Sequence, residues 1–295
     1  MPHATANGIR IEYETIGDSA CPALLLIAGN GAQLTFWDDA FCGLLAQAGF
    51  LAIRFDNRDA GLSTKFEAAG IPDMMATIKA AMAGRPVETA YRLEDMADDA
   101  VGLLDALGLA KAHVCGASMG GMIAQVVAYR HPGRVLSLTS IMSNTGNPEG
   151  PYGKRGALAT VTAPAPEERE AYIEHMMRVW RRLWSPGFPF DEARARAFLE
   201  TSYDRSYYPQ GMARQNTALI ACGDRRPRLA SITAPTLVIH GAADPLIPVE
   251  AGKETARVIP GARLLVLDGM GHDMPREVWP DIVAAIAGLV RHDEG

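Results

Sequence analysis

The sequence predicts a mostly parallel, doubly wound α/β sheet that carries a helical insertion, and two observations predict it. Short, continuous apolar runs recur along the chain with amphipathic helical stripes between them, and one long middle stretch breaks that alternation with helical pattern alone. The runs are Ala23–Ala28, Leu51–Phe55, His113–Gly116, Val135–Ile141, Thr236–His240 and Arg263–Leu267. Unbroken apolarity suits strands that helices cover on both faces of a parallel sheet. Ahead of them Ile9, Ile11 and Tyr13 alternate with polar residues, which predicts a half-exposed antiparallel edge strand. One helical stripe is Met96, Ala100, Leu103, Leu104 and Leu107; another, near the C-terminus, is Val278, Ile282, Val283, Ile286, Leu289 and Val290.

From about Asn144 to Cys222 there is no strand signal, only helical segments rich in Trp, Tyr and Met. Because it falls between two predicted strands, this stretch is expected to sit over the carboxyl edge of the sheet. The chain thus divides into a core of 1–143 and 223–295 and a helical cap of 144–222. A smaller excursion, Lys65–Thr89, holds Met74, Met75 and Met82.

Composition narrows the function classes. A chain of 295 residues, 48% hydrophobic, buries enough core to need neither disulfide nor structural metal. A formal net charge of −6 and the absence of any Lys/Arg-rich run argue against a nucleic-acid partner. No apolar run approaches the roughly 18 residues that span a bilayer, and the N-terminal MPHATANGIRIEYET lacks the basic and apolar regions of a leader. Cys21, Cys42, Cys115 and Cys222 lie far apart, without the paired spacing of a zinc or redox site. The expectation is a cytoplasmic protein that acts on a small molecule, with no metal, no cofactor and no membrane. Nothing in the sequence sets an oligomeric state.

The chemistry is carried by Gly116-Ala117-Ser118-Met119-Gly120-Gly121, placed between a predicted strand and a helical pattern from Met122 to Arg130. A serine is a poor nucleophile unless it is exposed, aimed and given a base. A strand-to-helix turn tight enough to expose it forces backbones together, and flanking glycines remove the colliding Cβ atoms.

Seven histidines compete to be the base. His3 and His292 lie near the chain ends, His113 starts the nucleophile's strand, His131 ends the following helix, His175 lies in the insertion and His240 ends a strand among packed neighbours. His272 lies in Gly269-Met270-Gly271-His272-Asp273, a loop after the last strand, at the edge where open α/β sheets build their sites. The carboxylate that fixes its tautomer is expected at Asp244, in the loop after Thr236–His240; Asp268 and Asp273 compete. The oxyanion donors are expected to be the backbone amides of Met119 and Asn30, with Gly31 as the alternative to Asn30.

These pieces, together with Asp56-Asn57-Arg58-Asp59-Ala60-Gly61-Leu62-Ser63, resemble the α/β-hydrolase superfamily over nearly the whole chain. The sequence is most similar to the branch containing aclacinomycin methylesterase and other bacterial serine hydrolases. The resemblance implies catalytic roles for Ser118, Asp244 and His272 and a mostly structural role for Asp56 and Arg58. Two departures stand out: Ala28 replaces the family's usual histidine before the oxyanion glycine, and Lys65–Thr89 is longer than in the methylesterase.

The expected activity is hydrolysis of carboxylic esters of small to medium apolar or aromatic molecules through an acyl-enzyme. The same triad also serves perhydrolysis, lactone opening and C–C bond hydrolysis, and a non-catalytic small-molecule receptor is the reading outside enzymology. Phe36, Trp37, Met176, Trp180 and Met270 are expected to line an apolar substrate pocket, with Met119 and Met274 beside them.

Overall fold

Among the described residues, eight strands pair in the order β1-β2-β4-β3-β5-β6-β7-β8. They are β1 (His3–Ala6), β2 (Ile9–Ile16), β3 (Ala23–Ile27), β4 (Leu51–Phe55), β5 (Ala112–Ala117), β6 (Val135–Ile141), β7 (Thr236–Gly241) and β8 (Arg263–Leu267). The computed structural model describes residues 2–150, 153 and 165–291. All pairings from β4 to β8 are parallel; β1–β2 and β2–β4 are antiparallel. All six buried runs read from the sequence form strands, with ends shifted by no more than one residue.

The edge differs from expectation. β2 is flanked on its outer side by β1, so the edge strand is His3–Ala6. The hairpin between them turns on Asn7 and Gly8, at φ 48° and 77°. Two successive positive-φ residues make the tight turn whose twist matches paired strands, and Asn-Gly is its preferred pair.

Alternation along β3 sends Leu24 and Leu26 to one face and Leu25 and Ile27 to the other. The first face is packed by α1 (Asp39–Gln47) and the C-terminal α9 (Trp279–Arg291) through Phe41, Leu45, Ile282 and Ile286. The second is packed by α3 (Leu93–Ala106) and α4 (Met119–Arg130) through Met96, Leu103, Ile123 and Val127. α1 follows β3 and α4 follows β5, so the covering helix changes face between these two neighbouring strands. That change opens a crevice at their carboxyl ends, the place where open α/β sheets bind ligands.

α2 (Met74–Met82) lies within the Lys65–Thr89 excursion, and its Met75 and Met82 are exposed at the surface. Between β6 and β7 come α5 (Arg169–Leu183), α6 (Glu192–Ser206), α7 (Pro209–Cys222) and the short α8 (Arg226–Leu229). α5 and α6 build their own small core from Ile173, Met177, Ala195 and Leu199, whereas α7 enters the main core through Ala218 and Cys222. Part of the stretch read as an insertion, 151–152 and 154–164, lies outside the described residues.

Candidate active site

β5 delivers Ser118 into the crevice. The residue holds φ 55° and ψ −122°, a conformation that L side chains avoid and that the tight turn from β5 into α4 imposes. The turn closes only because of glycine: a Cβ on Gly116 would lie 2.0 Å from the Gly120 carbonyl oxygen, and one on Gly120 2.0 Å from that of Ile27. Ser118 is therefore lifted clear of both strand and helix, and it is partly exposed.

The other two groups arrive from loops at the same edge. Asp244 follows β7, and its Oδ1 accepts from the backbone N–H groups of Leu246 and Ile247, each at 2.8 Å. That grip turns Oδ2 outward, where His272 Nδ1 meets it at 2.7 Å. His272 Nε2 lies 3.1 Å from the Ser118 hydroxyl. An ionised carboxylate only accepts, so the imidazole proton sits on Nδ1 and the Nε2 lone pair faces the serine. Burial pushes the Asp244 carboxyl up, but attraction to His272 and hydrogen bonds from His240, His272 and the Ile247 N–H outweigh it and hold the group well below the ordinary carboxylate range. It stays ionised, as the task of orienting a histidine requires.

The His272 loop is held from the insertion. The His272 N–H donates to the Leu183 carbonyl at 2.8 Å, and the Gly271 N–H donates to the Ser185 hydroxyl oxygen at 2.8 Å. Asp273, the competing carboxylate, points away from the imidazole and accepts from the Ser185 hydroxyl at 2.5 Å. His240 is fully buried, with Nε2 2.8 Å from the Ile247 carbonyl and 3.6 Å from Asp244 Oδ2.

The Gly29–Gly31 loop lies against the serine: a Cβ on Gly29 would come 3.4 Å from Ser118 Cβ. Asn30 Nδ2 is 3.9 Å from the Met119 sulfur, so the two expected oxyanion residues are neighbours. Among the described residues, no protein acceptor takes the backbone N–H of Asn30 or of Met119. The Gly31 N–H is occupied, donating at 2.7 Å to Gln215 Oε1. Below the loop, the Ala28 carbonyl accepts from Asn57 Nδ2 at 3.1 Å. A serine hydroxyl aimed at an anchored imidazole, beside one unoccupied amide at a helix start and one in the Gly29–Gly31 loop, suits attack on a carbonyl carbon.

The model of the alpha/beta hydrolase fold family matches residues 22–275 of this chain. The chain belongs to the α/β-hydrolase family. Rhodomycin D methylesterase DauP of Streptomyces sp. (strain C5) is 30% identical over 97% of this chain and 97% of its own length. 3-Oxoadipate enol-lactonase 2 of Acinetobacter baylyi is 29% identical over 90% of this chain and 87% of its own. Among solved structures, the meta-cleavage product hydrolase CumD from Pseudomonas fluorescens IP01 superposes with a TM-score of 0.79 at 19% identity, covering 99% of this chain and 98% of its own, a likeness of fold.

As an α/β-hydrolase, the chain departs from expectation in its pocket wall. Trp37 and Met270 expose no surface; Trp37 stacks on Phe41 with ring centroids 5.8 Å apart, and both residues belong to the core beneath the site rather than to a pocket. Phe36 is half-buried, edge-on to Trp37 at 5.2 Å. Met176 and Trp180 pack into the small core of α5 and α6, with the Trp180 ring 5.1 Å from that of Phe198. Trp37 and Met270 are thus spent on the core, whereas Phe36, Met176 and Trp180 keep part of their surface exposed. Of the cysteines, Cys42, Cys115 and Cys222 are buried, and Cys21 is half-exposed.

The sequence reading missed the polar seam joining α6 and α7 to the core. Arg205 Nη2 reaches Asp56 Oδ2 at 2.8 Å, and Arg214 pairs twice with Asp59, at 2.8 and 2.9 Å. Arg58 is held by Asp99 at 2.6 and 2.7 Å. The signal available was an Asp-Asn-Arg-Asp cluster directly after a buried strand, which has to find buried partners.

Proposed function

We propose that this α/β-hydrolase is a serine hydrolase that cleaves carboxylic esters of small to medium apolar or aromatic molecules. The observation that carries the reading is the continuous chain from Ser118 through His272 to Asp244, with the serine lifted on a strained turn. In the proposed cycle His272 takes the Ser118 proton as Oγ attacks the ester carbon. The tetrahedral oxyanion is held by the amides of Asn30 and Met119. The carbon–oxygen bond to the leaving group then breaks, and His272 returns the proton to the departing alcohol. Water, deprotonated by His272, attacks the acyl-enzyme, and the acid leaves as Ser118 regains its proton. No step uses a metal or a redox group.

The similarity to a methylesterase supports an ester as the substrate. A second reading, lactone opening by the same groups, is supported by the similarity to an enol-lactonase. The helices between β6 and β7 act as a cap, and the enzyme works in the cytoplasm, where cysteines that are free rather than bridged belong. The test is labelling with a fluorophosphonate probe, followed by comparison of open-chain and cyclic esters of matched size. Labelling of the wild type and its loss in Ser118→Ala support the serine mechanism; an unlabelled wild type sinks it. Faster turnover of the cyclic member of each pair would replace ester cleavage by lactone opening.

A further inference from the structure

Gln215 has no role in the chemistry just described, yet it is fully buried and its amide is engaged at both ends. Its Nε2 donates to the Arg58 carbonyl at 2.8 Å, and its Oε1 accepts from the Gly31 N–H at 2.7 Å. The Arg58 end is rigid, because that guanidinium makes a bidentate pair with Asp99. The helix carrying Gln215 is fixed one residue earlier by the buried Arg214–Asp59 pair. The amide is thus a strut of fixed length between an immobile core loop and the Gly29–Gly31 loop beside Ser118.

We propose that Gln215 is the positioning residue of the oxyanion site, resting on the serine mechanism proposed above. Gly31 sits at φ +66°, and a Cβ there would lie 3.0 Å from Met212 of the same helix, so α7 presses on the loop as well as bonding it. Drawing the Gly31 N–H toward Gln215 removes that group as an oxyanion donor. The next N–H back along the chain is that of Asn30, separated from Gly31 N only by the φ and ψ of Asn30. Holding the Gly31 N–H therefore restrains the Asn30 N–H, with only two dihedrals between them. The methyl group of Ala28 offers the loop no hydrogen bond, and α7 supports it through Gln215, the shortest tie, and through longer bonds from Asn30 Nδ2 to the Met212 carbonyl at 3.4 Å and to Gln215 Oε1 at 3.5 Å. An oxyanion donor acts only when held about 2.7–3.1 Å from where the charge develops. A loop released from Gln215 binds substrate as before and stabilises the tetrahedral state less well, so the loss falls on kcat and spares KM.

The experiment begins with fluorophosphonate labelling of the wild-type enzyme; without labelling the serine mechanism fails and the positioning role falls with it. With labelling in hand, kcat and KM for p-nitrophenyl butyrate are measured for the wild type, Gln215→Met, Gln215→Glu and Thr217→Val. Thr217 is buried on the same helix and bonds to the Arg214 carbonyl and to Thr89, away from the loop. Gln215→Met, which keeps the length and loses the acceptor, is expected to lower kcat by roughly 10-fold or more with KM within about twofold. Gln215→Glu keeps an acceptor for Gly31 but loses the donor to the Arg58 carbonyl, so it recovers only part of that loss, and Thr217→Val stays near wild type. If Gln215→Met does not fold, Gln215→Asn carries the same expectation, since its shorter amide cannot span from Arg58 to Gly31. A wild-type kcat in the Met or Asn variant overturns the proposal, as does an equal fall in Thr217→Val.

Discussion

One residue beyond the histidine of the site, the Asp273 carboxylate accepts the Ser185 hydroxyl at 2.5 Å while its other oxygen, buried, meets no partner among the described residues. Burial pushes this carboxyl up to about 6, against the pull of Ser185 and His272. The folded state therefore binds more protons than the unfolded state between the ordinary carboxylate value and about pH 6. Its favourable contribution is complete below that window and is lost as pH rises through it. Asp273→Asn removes the ionisation, so its thermal midpoint is expected to gain on wild type between pH 4.5 and 7, on the order of 2 kcal/mol in stability. A gap between the two proteins that stays constant with pH would falsify this.

Asp244 carries the opposite sign. Its folded carboxyl lies below the ordinary range, so its contribution is present at neutral pH and is lost only as acid drives the pH down through that range. The same ionised group holds the His272 tautomer. Asp244→Asn is expected to slow ester hydrolysis by roughly 10³–10⁴ at neutral pH, because the amide favours the wrong tautomer. Steady-state rates for both proteins from pH 5 to 9 check this, and an Asn variant of undiminished rate moves the carboxylate role elsewhere.

Ser118 tests chemistry and strain together. Ser118→Ala is expected to lose activity by on the order of 10⁴–10⁶ while folding normally. Ser118→Gly loses activity equally but relieves a positive φ that alanine keeps. Backbone strain of this kind costs about 1–3 kcal/mol, partly offset by the flexibility of glycine when unfolded. Chemical denaturation of the two inactive variants should therefore place the Gly protein about 1 kcal/mol above the Ala protein. Equal stabilities mean that the turn is not strained at this residue.

Where the site follows from the chain, it does so because each of its groups stands just past a buried strand. Ser118 leaves β5, Asp244 follows β7 and His272 follows β8, and strand ends are legible as the stop of an apolar run. The Asn7-Gly8 hairpin went unread, because His3–Ala6 is too short and polar to announce a strand by pattern. Gln215 and Ser185 were not legible at all. Their partners lie 184 and 88 residues away, and a buried glutamine has the same local signature as one on a solvated helix face. Two of the expected pocket residues proved to be core for a related reason. Trp37 and Met270 are apolar and near the site in sequence, but apolarity says only that a side chain leaves water, not which cavity or core receives it.

The seam between α7 and the core makes the last prediction. Arg214 and Asp59 are 2% and 0% exposed and meet through two hydrogen bonds, with the Tyr91 hydroxyl donating to the same carboxylate at 2.8 Å. A buried pair of this kind adds little against an apolar replacement, yet removing one member strands the other charge, at about 3–5 kcal/mol. Arg214→Met should therefore lower the thermal midpoint by roughly 10 °C for a chain of this size. Asp59→Asn combined with Arg214→Met removes the stranded charge while the Asn oxygen still accepts from the Phe66 N–H and its NH2 donates to the Tyr91 oxygen, so the double variant should recover part of the loss. Because Gln215 follows Arg214 on the same turn of α7, the single variant also loosens the strut to Gly31, and kcat should fall along with stability. Thermal melts and rates on the single and double variants decide it: a double variant as unstable as the sum of its parts would show that Arg214 and Asp59 do not act as a pair.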